Sequence, residues 1–197
     1  MQRTARLAVV LAMLLTLAVA GWGPAQSVAA DAADVEMISF RFVPPTVTVA
    51  AGDTVPWIHQ DRDFPIRPHT STSDPGQAEQ WDSGPRRLGE RFEHTFTVPG
   101  TYSYYCAIGT HRQQGMEGQV TVGPATAASV CGLTKRSVTN PSLAAGMCRL
   151  LAAVAASPST GRSQLLAAYV RLAGVGQRSG ALTPAAAATL VRLAGTL

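Results

Sequence analysis

Apolar and polar residues change rhythm twice along this 197-residue chain. Leu7 to Ala20 is almost unbroken apolar sequence. Residues 35–122 then carry short runs rich in Val, Ile, Thr and aromatic residues, and residues 141–197 repeat apolar residues every three or four positions. The middle runs read as strands over Val35–Phe42, Thr46–Val49, Thr54–Ile58, Phe92–Thr97, Tyr102–Cys106 and Gly118–Val122. Pro44-Pro45, Ala51-Gly52-Asp53, Pro99-Gly100 and Gly115 punctuate them. Many short strands at close spacing predict a β-sandwich or barrel. Asp61 to Gly89 lacks periodicity and is rich in Pro, Asp, Ser and Gly. It reads as a long excursion with short edge strands at most, and a loop of that length in a compact domain is usually functional.

The C-terminal rhythm is helical. Leu143, Met147, Leu150 and Val154 recur at helical spacing, as do Leu165, Tyr169 and Leu172, then Ala186, Leu190 and Leu193. Asn140-Pro141 and Thr183-Pro184 each place a good N-cap before Pro at the first helical position. Ser157-Pro158 and the stretch Gly174 to Gly180 read as breaks, giving about three helices over 141–197. The expected division is a signal peptide over 1–30, a β domain over 31–123, a linker over 124–140 and a small all-α domain over 141–197.

The N-terminus supports export. Arg3 and Arg6 precede the apolar run, and Val28-Ala29-Ala30 offers small residues for cleavage before Asp31. The run is shorter than the roughly 20 residues a membrane span needs, so the mature chain is expected to be extracytoplasmic and not membrane-spanning. Removing Arg3 and Arg6 lowers the formal charge from +4 to +2. With no Lys/Arg block to suit a phosphate backbone, nucleic acid is not an expected partner.

Cysteine count sharpens the picture. Three cysteines in a secreted chain leave one unpaired. Cys131 and Cys148 lie together in the second half, and a bridge between them closes a loop for which chain-entropy arguments give ~3 kcal/mol. Cys106 is then the free thiol, and a free thiol outside the cell persists best when buried or held by a metal.

Cys106 ends a strand, His111 follows after four residues and Met116 after four more, while His69 lies far upstream behind Pro68. Two imidazoles, a thiolate and a weak thioether are the donor set of a mononuclear type 1 copper centre. Four histidines without a His-x-His or His-Cys-His pair argue against a multicopper oxidase or nitrite reductase, so no enzymatic activity is expected. His94, mid-strand, reads as a surface or structural residue.

The order of motifs resembles the plastocyanin/azurin-like cupredoxins. The residues that carry the likeness are Ala51-Gly52-Asp53-Thr54-Val55-Pro56-Trp57, Pro68-His69-Thr70, Asp82-Ser83-Gly84, Phe92-Glu93-His94-Thr95-Phe96, Pro99 to Cys106, and Met116-Glu117-Gly118-Gln119-Val120. The resemblance covers about residues 36–122 and implies a Greek-key β-sandwich holding one copper ion on His69, Cys106, His111 and Met116. It further implies one-electron transfer with an extracytoplasmic redox partner, the edge of His111 lying near the surface. Four residues between Cys106 and His111 are more than plastocyanins usually have and look more like the azurin, rusticyanin and auracyanin groups. His59 stands where the family often has an Asn that ties the ligand loops. It reads either as a hydrogen-bonding replacement or as a titrating group coupled to the copper. The alternative function is an extracytoplasmic copper-binding or storage module, although no Met-rich tract suits it.

Residues 145–197 resemble, more loosely, the FIMAH-type helical module of secreted proteins, through Leu166 to Leu172, Ser179-Gly180-Ala181-Leu182-Thr183 and Ala187 to Leu193. That likeness implies contact with the cell envelope or another protein.

Overall fold

The computed structural model describes residues 34–61, 65 and 67–197. The signal-peptide expectation for 1–30 lies outside them. Eight strands form two four-stranded sheets, and four helices follow. One sheet has the order β2-β1-β4-β6, from β1 (Val35–Ile38), β2 (Arg41–Val43), β4 (Thr54–His59) and β6 (Arg91–Thr95). The other has the order β3-β8-β7-β5, from β3 (Thr46–Ala50), β8 (Glu117–Gly123), β7 (Gly100–Tyr105) and β5 (Thr72–Ser73). The pairs β1–β4 and β3–β8 are parallel and the others antiparallel. This is the expected cupredoxin sandwich followed by a helical region.

Alternation builds the core. Val47 and Val49 of β3, Tyr102 and Tyr104 of β7, and Val120 and Val122 of β8 point inward with period two. Trp57 is fully buried between Trp81, stacked at 5.7 Å, and Tyr104, edge-on at 5.4 Å. Trp81 lies in the aperiodic excursion, so pattern alone did not place it in the core. Its indole donates to Ser71 Oγ at 2.9 Å, and β5 anchors this stretch on β7.

The run Val35–Phe42 is two strands, not one. Ser39 and Phe40 both take positive φ, 47° and 59°, between β1 and β2. Two left-handed residues make the tight hairpin turn that suits sheet twist. No Gly or Asn marks it, which is why the sequence reads as continuous.

The stretch expected as a linker over 124–140 contains helix α1 (Ala127–Ser137). Thr126 and Ser129 form a reciprocal capping box, built with Ser where Glu or Gln is the usual signal. Ser129 Oγ also donates to Ala51 O at 2.7 Å, and Arg136 donates to Gly52 O at 2.8 Å. A side chain at Gly52 would stand 3.1 Å from the Ser129 backbone, and its φ is +106°, so glycine permits this approach.

Helices α2 (Pro141–Ala156), α3 (Ser159–Arg178) and α4 (Pro184–Ala194) follow. Asn140 and Thr183 cap α2 and α4 as their sequence suggests, accepting from the Leu143 and Ala186 amides. The break expected over Gly174 to Gly180 falls at the end of that stretch, because α3 runs on to Arg178. Gly176 is instead a contact point, where an added Cβ would lie 3.0 Å from Leu143 and 3.2 Å from Leu182. Cys131 and Cys148 are disulfide-bonded, joining α1 to α2. Among the described residues no helix is long and apolar enough to cross a membrane.

Candidate metal centre

The sandwich brings three of the four expected donor residues to one point. Cys106 directly follows β7, and its amide donates to Met116 O at 3.1 Å. The Met116 amide donates to His111 O at 3.0 Å, so the loop from Cys106 to Met116 is closed on itself. A 3-10 turn over Arg112–Gln114 and Gly115 at φ 92° complete the closure. His69 arrives from the long excursion, where it forms an isolated bridge with Arg86. Its Nδ1 lies 3.2 Å from His111 Nδ1 and 3.8 Å from Cys106 Sγ, and His111 Nδ1 lies 3.4 Å from the sulfur. Met116 is fully buried beside them in sequence and hydrogen bonding.

Burial shapes the chemistry. His69 is inaccessible, and burial pushes its imidazole down to about 4, against the hydrogen bond to Asp61 that pulls it up. Burial also lowers His111. Both rings are therefore neutral near pH 7, the form a metal requires. The Cys106 sulfur accepts from the Thr70 amide at 3.3 Å, and Thr70 Oγ1 accepts from the Ala107 amide at 2.7 Å. Thr70 thus ties the His69 segment to the Cys106 loop. Two nitrogens and a sulfur buried at one spot fit copper and suit it in either oxidation state.

Several placements differ from expectation. His59 is buried, with its ring 4.9 Å from that of His69, but neither ring nitrogen has a hydrogen-bond partner among the described residues. It does not replace the family's Asn as a tie between loops; Thr70 makes that connection. His111 is only 3 % exposed, because Phe40 stands edge-on over its ring at 4.7 Å. Phe40 itself is half-buried. His94 is structural, stacked on Trp81 at 5.0 Å with Glu79 3.7 Å away. Asp61 and Phe40 have no signal in the sequence as site residues: Asp61 sits among other polar residues and Phe40 in an apparent strand, whereas Thr70 lies in the Pro68-His69-Thr70 motif.

Two face-to-face sheets, with two imidazole nitrogens and one sulfur buried together at one end, define a copper-binding cupredoxin domain. Residues 29–123 match the family described as copper binding proteins of the plastocyanin/azurin family. Plastocyanin of Scenedesmus fuscus is 32 % identical over 89 residues, covering 41 % of this chain and 85 % of that protein. Chloroplastic plastocyanin of Physcomitrium patens is 34 % identical over 90 residues, 41 % of this chain and 49 % of its own length. Amicyanin of Paracoccus versutus superposes with a TM-score of 0.40 at 27 % identity, covering 49 % of this chain and 86 % of amicyanin. The chain belongs to the plastocyanin/azurin family of copper binding proteins.

Proposed function

We propose that this chain is a secreted type 1 copper protein that passes single electrons and catalyses no reaction of its own. In this reading His69, Cys106, His111 and Met116 would hold the copper, with the Met116 thioether as the weakest donor. The observation that carries it is the convergence of two Nδ1 atoms and one Sγ within 3.2 to 3.8 Å of one another. Copper bound there supplies the one-electron Cu(I)/Cu(II) couple. The residues hold the donors still: Thr70 fixes the sulfur from one side, and the Cys106–Met116 and His111–Met116 backbone bonds fix the loop from the other. Donors that cannot rearrange keep the reorganisation accompanying each electron small. Phe40, edge-on to the His111 ring, borders the expected route of entry in this reading.

Secretion rests on the N-terminal 30 residues, with the copper domain over 31–123. The redox partner is then an extracytoplasmic protein, and the helical region, with its FIMAH-like motifs, is a contact surface for the envelope or another protein. Loading the purified mature protein with Cu(II) should give an intense blue absorption and a narrow-hyperfine EPR signal. Cys106→Ser should abolish the blue band entirely. A wild-type protein that stays colourless, or a blue Cys106→Ser variant, refutes the assignment.

A further inference from the structure

Asp61 is a carboxylate in a place where carboxylates are rarely found. It is 4 % exposed, it follows β4 by two residues, and its Oδ2 lies 3.3 Å from His69 Nε2. Its Oδ1 accepts from the Ser39 amide at 3.4 Å, in the turn that carries Phe40. His69 thus has its two nitrogens committed to different tasks. Nε2 faces Asp61, and Nδ1 faces Cys106 Sγ and His111.

We propose that Asp61 is a positioning residue for the copper centre: it fixes His69 as the Nε2–H tautomer and holds the reduction potential down. The proposal rests on the copper reading above. The tautomer follows from the acceptor. A carboxylate can only accept, so the ring proton resides on Nε2 and the Nδ1 lone pair is left for metal. Such carboxylate–histidine–metal arrangements orient the ring and raise its basicity. The potential follows from charge. Cu(II) with one thiolate carries +1, and Cu(I) with one thiolate carries none. A buried carboxylate one imidazole away is attracted to the first and not to the second, which favours the oxidised state. Its weight is large because little water screens it.

Two variants separate the effects. Asp61→Asn keeps a hydrogen-bond acceptor and removes the charge. Asp61→Leu removes both. Cyclic voltammetry of the copper-loaded proteins should show a higher potential for both variants than for wild type. Copper affinity, measured by competition with a chelator, should fall 10- to 100-fold in Asp61→Leu. In the 15N-histidine NMR spectrum of the Cu(I) wild type, His69 should show a slowly exchanging Nε2–H. That measurement needs no variant and stands even if both fail to fold. A wild type that is not blue refutes the copper reading itself. A blue wild type whose potential does not move in Asp61→Asn overturns the role of Asp61 alone. So does a His69 Nε2 without a proton, or saturation at two coppers per chain with His69 Nε2, Asp61 and His59 as a second ligand set.

Discussion

The two ends of this protein are stabilised by opposite means. Around the metal centre the buried residues include many polar ones, His59, Asp61, His69, Thr70, Ser71 and His111, beside Cys106 and Met116. In the helical region they are almost all apolar, from Val130 and Met147 through Leu151 and Tyr169 to Leu190 and Leu193, with Ser129 and Thr134 the polar exceptions. Sulfur is used in opposite ways too. Cys106 is kept free and buried, whereas Cys131 and Cys148 are closed into a bridge. Burying unpaired polar groups costs free energy, and burying aliphatic side chains returns it. The metal end is built for its donors and the helical end for cohesion, so damage to each should read out differently.

Leu190→Ala is expected to produce the largest thermodynamic effect. The side chain is fully buried in α4, and such truncations cost about 2–5 kcal/mol. Denaturant titration should show that loss while the copper absorption of the folded protein keeps its wavelength. A shifted band would mean that the two ends are not independent. Next is Cys131→Ala with Cys148→Ala, which opens a loop of sequence separation 17 and should cost about 3 kcal/mol, again with an unchanged spectrum.

A smaller, pH-dependent effect tests the seam between sandwich and helices. Glu79 Oε1 accepts from both the amide and the hydroxyl of Thr97, and the Thr97 carbonyl accepts from Arg192 of α4 at 3.1 Å. Burial alone raises the Glu79 carboxyl, but the nearby His94 ring and the bonds from Thr97 outweigh it and hold the group below its usual 4.5. The folded chain therefore binds this proton less readily than the unfolded chain does. Its stabilisation is complete above about pH 4.5 and is lost as pH falls through the depressed value. Thermal melts of wild type and Glu79→Gln should differ by several degrees at pH 6 and converge towards pH 3. Parallel melting curves at all pH values would exclude this account. Met116→Leu acts at the other end and leaves melting of the metal-free protein little changed, because the swap nearly conserves volume. It should retain copper and raise the potential, as seen by voltammetry.

What could be read from sequence follows the same divide. Short Val/Thr/aromatic runs, the Cys106–His111–Met116 spacing and the Asn140-Pro141 and Thr183-Pro184 caps are local patterns, and each corresponds to an element or loop in the structure. Trp81, Asp61 and Phe40 depend on chain segments distant in sequence, and nothing in their neighbourhoods marks them. Trp81 is drawn inside by Trp57 and Ser71. Phe40 is placed by a turn that uses two residues ill suited to it. Helix α1 was hidden for a third reason: its burial depends on the Ala51-Gly52 corner of the sandwich, far upstream.

Strand β8 starts next to Met116 and finishes at Gly123, whose carbonyl accepts from Ala51 beside α1. Seven residues of strand extend ~23 Å at about 3.3 Å each, with β3 and β7 bonded along its flanks. It is a stiff spacer between two poles. A protein docked on the helices would sit a strand's length from Met116, apart from any visitor to the other pole.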